Sequence, residues 1–177
     1  MEKRSEYLIP FISLPIGEHR YDFNINDSFF KKYENPLLKK ALVKVEVLFI
    51  KSAHSLQFTF TFKGTINVEC GRCLEMFDMP VDAAKHLLVR QVSDETEEMI
   101  DDEVLSISDK EQVLDLAPHI YDYLSLLIPI NPIHSEDEKC VPSCNTQVME
   151  LLNKITVNPD AAIDNSRWDK LRNIKLN

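Results

Sequence analysis

The chain has 177 residues, 44% of them hydrophobic, so it is long enough for one ordinary domain with a substantial core. A formal net charge of −9 at pH 7 and a pI near 5.0 argue against a generic nucleic-acid binder, since phosphate contacts need clustered Lys and Arg. No apolar run approaches the ~20 residues of a membrane span; the best, Leu124–Ile133, is broken by Pro129 and Pro132.

Tyr7–Leu14 is apolar and β-leaning, with Pro10 suggesting an edge position. His19–Ile25 alternates with period two, so Tyr21, Phe23 and Ile25 share a face. Asp27 or Ser28 is placed to cap a short helix through Phe29, Phe30 and Tyr33, which Pro36 ends. Ala41–Ile50 and Leu56–Phe62 alternate as strands, Lys63-Gly64 reads as a turn, and Thr65–Glu69 as a further strand. Leu74–Val81 and Ala83–Val92 continue the sheet. Strands following one another so closely imply antiparallel pairing, in a meander or a rolled sheet. The row Phe58, Phe60, Phe62 has the spacing of a buried sheet face; a base-stacking platform is the alternative.

Asp94–Glu103 holds seven carboxylates in ten residues, the composition of a solvated, mobile loop over 93–103. Glu103–Ile107 is a short strand. Asp115 caps a helix that tolerates Pro118 in its first turn, with Leu116, Ile120, Tyr123, Leu124, Leu127 and Ile128 on the face laid against the sheet. Asp115, His119 and Asp122 form a polar side that reads as a wet helix face; orienting a proton-transfer group or a metal is the sharper alternative. Pro129–His134 is extended. Thr146–Ile155 is a helix with Val148, Leu151, Leu152 and Ile155 on one side. Residues 156–177 form a C-terminal appendage in which Asp164 caps a short basic helix. The whole reads as one α+β domain, 1–177, without internal repeats.

The four cysteines come as two close pairs, Cys70/Cys73 (C-x2-C) and Cys140/Cys144 (C-x3-C). Such pairs face one point from tight knuckles, and two complete a tetrahedral sulfur site, most naturally for a structural zinc ion. Gly71 suits the sharp turn inside the first pair. Unmetallated thiols, two disulfides or a redox pair remain as alternatives. The charged start Met1–Glu6, followed by no signal-type apolar run, points to a cytoplasmic chain, where structural disulfides are disfavoured. A redox C-x-x-C opens a helix after a strand, whereas strands flank this one. His134 is a reserve ligand, although four sulfurs already fill the shell.

The order of motifs resembles the YceD family of bacterial and plastid proteins. It runs from Val68–Glu75 with its C-G-R-C, through an acidic loop and Leu114–Pro118, to Leu127–His134 with Cys140 and Cys144, and ends at Ile163–Leu171. The likeness spans about Leu56 to the C-terminus. The closing motif departs from the family's Asp-Pro-Arg-Trp: here Asp164-Asn165-Ser166-Arg167-Trp168 has an extra residue and no proline. The resemblance implies a role in accumulation or processing of large-subunit ribosomal RNA, hence ribosome assembly, and a metal-binding, nucleic-acid-binding protein. It carries over no enzyme activity.

Three functions follow for comparison. In the first, a non-catalytic assembly factor contacts large-subunit RNA or its precursor particle through Arg167, Trp168, Lys170 and Arg172, with Trp168 stacking on a base. For Trp168 the plainer alternative is an anchor for its own helix. In the second, the acidic surface makes an adaptor for a basic ribosomal protein. The third, a zinc or thiol enzyme, is disfavoured: four cysteines leave no open metal position, and no H-E-x-x-H, phosphate loop or G-x-S-x-G occurs. Neither membrane nor DNA is expected as a partner.

Overall fold

In the computed structural model, the residues described are 6–33, 40–53, 55–92, 104–134 and 144–155. The fold is α+β. Strands β2 (Gly17–Ile25), β3 (Lys40–Lys51), β4 (Leu56–Glu69), β5 (Met76–Val92) and β6 (Val104–Ser108) form a five-stranded sheet in that spatial order. A separate two-stranded antiparallel sheet pairs β1 (Leu8–Ile9) with β7 (Leu114–Asp115). Helices α1 (Asp27–Phe30), α2 (Ala117–Leu127) and α3 (Thr146–Ile155) complete the described elements.

Period-two alternation accounts for the sheet. On the inner face Val43, Val45, Val47 and Phe49 of β3 stand beside Phe58, Phe60 and Phe62 of β4, all buried. Ile120 and Leu124 of α2, Phe29 and Phe30 of α1, and Ile9, Phe11 and Leu116 close the same core. The phenylalanine row is therefore core: Phe60 and Phe62 are both 0% exposed, and Tyr123 of α2 packs edge-on against them. Nothing of that row is left for a nucleobase.

Four local expectations are corrected. Lys63-Gly64 is not a turn, because β4 runs unbroken to Glu69 and Gly64 lies opposite Val43. A Cβ at Gly64 would sit 2.1 Å from the Leu42 carbonyl oxygen, and its φ of +152° is one that side chains disfavour. The glycine thus lets two backbones approach within a sheet. The expected strand Tyr7–Leu14 is paired only at Leu8–Ile9; after Pro10 the chain turns into a 3-10 helix, Phe11–Ser13. Asn26, rather than Asp27 or Ser28, caps α1, its Oδ1 accepting the Ser28 N–H at 3.0 Å. Asp27 instead accepts the Ala41 N–H, tying α1 to β3. Finally, β2 to β5 form the antiparallel meander, but β6 pairs with β5 in parallel. Such a pair needs a connection of about a dozen residues, and the acidic segment 93–103, which lies outside the described residues, has the length for it.

Two contacts fix the periphery. The Lys51 ammonium donates to the carbonyls of Phe11, Ile12 and Leu14 at 2.7, 3.2 and 2.8 Å, holding the 3-10 helix against the end of β3. β6 matches only Leu88–Val92, so among the described residues Met76–Leu87 of β5 has a strand neighbour on one side alone. There the Tyr123 hydroxyl donates to the His86 carbonyl. Among the described residues no helix is long and apolar enough to cross a membrane.

Candidate metal centre

The long antiparallel pair β4–β5 has to reverse between Glu69 and Met76, and the six residues from Cys70 to Glu75 do it as a knuckle. The Cys70 N–H donates to Glu75 O at 2.9 Å, the Leu74 N–H to Cys70 O at 2.9 Å, and the Arg72 N–H points at Cys70 Sγ at 3.4 Å. Leu74 takes the left-handed conformation (φ 62°) that closes the turn, although its side chain is largely exposed. Both cysteine side chains are thereby turned to one side and buried.

A second segment lies against this knuckle. The Gly71 N–H donates to the Pro132 carbonyl at 2.7 Å. The Asn131 side chain occupies the space where a Cβ of residue 71 would stand, so glycine serves close approach here. This docking brings His134, the buried polar side chain among the described residues, over the knuckle, where its ring packs on Phe77 at 4.4 Å and 37°. The third piece is Cys144, just ahead of α3. The helix begins with Asn145 Oδ1 accepting the Gln147 N–H, while Asn145 Nδ2 donates to Glu75 of the knuckle at 2.8 Å. Val148 and Met149 pack on the cysteines, yet no residue of α3 is itself buried.

Four ligand atoms converge: Cys70, Cys73, His134 and Cys144 are all buried, and their donors lie within 4.8 Å of one another. Cys70 Sγ and Cys144 Sγ are 4.0 Å apart, His134 Nδ1 is 3.3 Å from Cys144 Sγ, and it is 3.7 Å from Cys73 Sγ. Around a tetrahedral zinc ion, ordinary bond lengths put sulfurs about 3.8 Å apart and sulfur and nitrogen about 3.6 Å apart. These three separations match a tetrahedral metal site, and the whole donor set is compact enough to hold one ion. Cys70, Cys73 and Cys144 are free thiols, so the disulfide reading fails for these three.

The electrostatics of the cluster suit a cation. Burial works against a Cys70 thiolate, but N–H groups of Cys73, Arg72 and His134 and the Cys73 thiol stabilise it, bringing it down to about 6. Burial, with Cys73 and Cys70 alongside, pushes Cys144 up to about 11. One pocket cannot hold several bare thiolates; a divalent ion removes that conflict and releases the remaining protons.

Of the expected ligands, the structure brings together Cys70, Cys73 and Cys144; Cys140 lies outside the described residues. So do the expected RNA contacts Arg167, Trp168, Lys170 and Arg172, and the appendage 156–177. The structure also brings His134, expected as a reserve ligand, among the cysteine donors; its place two residues after Pro132 and shortly before the second cysteine pair is the sequence signal for it. On α2, Asp115 Oδ1 accepts the Ala117 N–H and opens the helix, and burial lowers His119 below its ordinary value against the pull of Asp122 and Asp115. Asp115 thus serves the start of the helix.

Comparisons with known proteins place the chain. No curated protein and no solved structure matches it. Residues 58–175, more than half of the chain and including the knuckle, the His134 segment and α3, match one family. On that match, the chain belongs to the family described as Large ribosomal RNA subunit accumulation protein YceD.

Proposed function

We propose that this protein is a non-catalytic factor in assembly of the large ribosomal subunit, acting in the cytoplasm to support accumulation or processing of large-subunit RNA. The family match over 58–175 carries the reading. The candidate centre supports its non-catalytic character: four buried protein donors surround one point, whereas a catalytic metal keeps a position open to water. The ion is read as zinc, held by Cys70, Cys73 and Cys144 and serving to fasten three chain segments together. RNA contact is assigned to the basic C-terminal sequence with Arg167, Trp168, Lys170 and Arg172, whose cations oppose the acidic balance of the rest.

Sedimentation of lysate tests the assignment: the protein should co-migrate with precursor large subunits, and a profile confined to the top of the gradient would remove it. Charge reversal at Arg167, Lys170 and Arg172 should weaken binding to large-subunit RNA fragments and flatten its salt dependence. The net charge of −9 favours a second reading, an acidic adaptor for a basic ribosomal protein. A partner still recovered after nuclease treatment supports the adaptor; recovery that depends on RNA supports the first reading.

A further inference from the structure

We infer that His134, through Nδ1, is the fourth ligand of the metal centre, so that the described donors Cys70, Cys73, His134 and Cys144 complete a Cys3His site. This rests on reading the cluster as a metal centre.

Three observations carry it. The first is distance: Nδ1 faces two sulfurs at once, 3.3 Å from Cys144 Sγ and 3.7 Å from Cys73 Sγ, both close to the edge of a zinc tetrahedron. The second is how the imidazole gets there. Its backbone is delivered by the Gly71–Pro132 hydrogen bond and its ring plane is set by Phe77, contacts that involve neither a cation nor the second cysteine pair. A ligand held in place by its own supports is the kind that binds well. The third is charge. Three thiolates and a neutral imidazole around a divalent ion leave one net negative charge, whereas four thiolates leave two. Burial of all four described donors makes the smaller charge the cheaper one.

The ligand set also determines what the ion joins. Cys70 and Cys73 belong to the β4–β5 knuckle, His134 to the segment leaving α2, and Cys144 to the start of α3. With histidine as ligand, the segment after α2 is bonded directly to the sheet's far end.

Cobalt(II) substitution of the purified full chain tests this, because d–d and thiolate charge-transfer bands distinguish three sulfurs and a nitrogen from four sulfurs. The expected results are one ion per chain, a three-thiolate spectrum, and the same spectrum in Cys140→Ser. His134→Ala should lose affinity by more than the roughly 10- to 100-fold that outer partners of metal ligands command. Should that variant not fold, His134→Cys decides: it should bind with the spectrum moved to the four-sulfur pattern. A four-sulfur spectrum in the unaltered protein, or one changed by Cys140→Ser and not by His134→Cys, overturns the His134 assignment and leaves the metal reading standing. Failure of the unaltered protein to bind cobalt or zinc overturns both.

Discussion

The Gly71 N–H reaches the Pro132 carbonyl at 2.7 Å, joining the β4–β5 knuckle to the segment after α2 by backbone alone. The Asn131 side chain fills the place of the missing Cβ. Because that obstacle is the end of an exposed side chain, Gly71→Ala should cost only about 1 kcal/mol. The loss should shrink in an Asn131→Ala background, where the obstructing amide is gone. A double-mutant cycle by urea denaturation measures the coupling; additive losses would mean that the two positions do not compete for space.

Gly64→Ala should be worse. The obstacle is the Leu42 carbonyl of the neighbouring strand, and the backbone at φ +152° offers a side chain no comfortable alternative. A loss of about 2 kcal/mol or more is expected, read as a lower thermal midpoint with β3 and β4 amides exchanging faster.

His119 gives the fold an acid-side weakness. Burial holds its folded value below the ordinary one, so the unfolded chain takes up the proton first. Its contribution is complete above the unfolded value of about 6.5 and is lost as pH falls below it. In His119→Gln, thermal midpoints measured from pH 7.5 down to 5 should decline less steeply than in the unaltered protein. Parallel curves would show that His119 titrates alike in both states.

On the metal reading proposed above, removal of the ion should act first on α3. That helix buries no residue of its own and is tied to the rest through Val148, Met149, Cys144 and the Asn145–Glu75 bond. With a chelator, hydrogen exchange should rise across Thr146–Ile155 while β3 and β4 stay protected. Acid should do the same: protons compete for the ligand sulfurs, so affinity should fall as pH is lowered and more steeply below about 6, where Cys70 as well as Cys144 is protonated. Unchanged exchange in α3 after verified metal removal would contradict this.

Much of this was readable in advance, for definite reasons. Alternation in Leu56–Phe62 and Ala41–Ile50 left one choice of buried face, and the sheet obeys it. Cysteine spacing anticipated that Cys70, Cys73 and Cys144 meet. Glycine misled at position 64, since a residue that permits a turn equally permits a close crossing, and only the partner strand decides which. The parallel pairing of β6 was equally hidden, because strand direction depends on where a connection goes rather than on the strand's own residues. Nor does any pattern within Pro129–His134 say that it docks on Gly71; that relationship joins positions 61 residues apart, with three strands and a helix between them.

The one-sided stretch of β5 has a consequence for behaviour in a crowded cell. Among the described residues this is an open border twelve residues long, of the kind that invites other chains to add themselves, the first step towards fibrils. Here Pro80 withholds an amide proton in mid-border, Asp78, Asp82 and Lys85 place charge along it, and Tyr123 already occupies the His86 carbonyl. Replacing Pro80 with valine should therefore shorten the lag before aggregation at high concentration, even if it leaves the melting temperature alone.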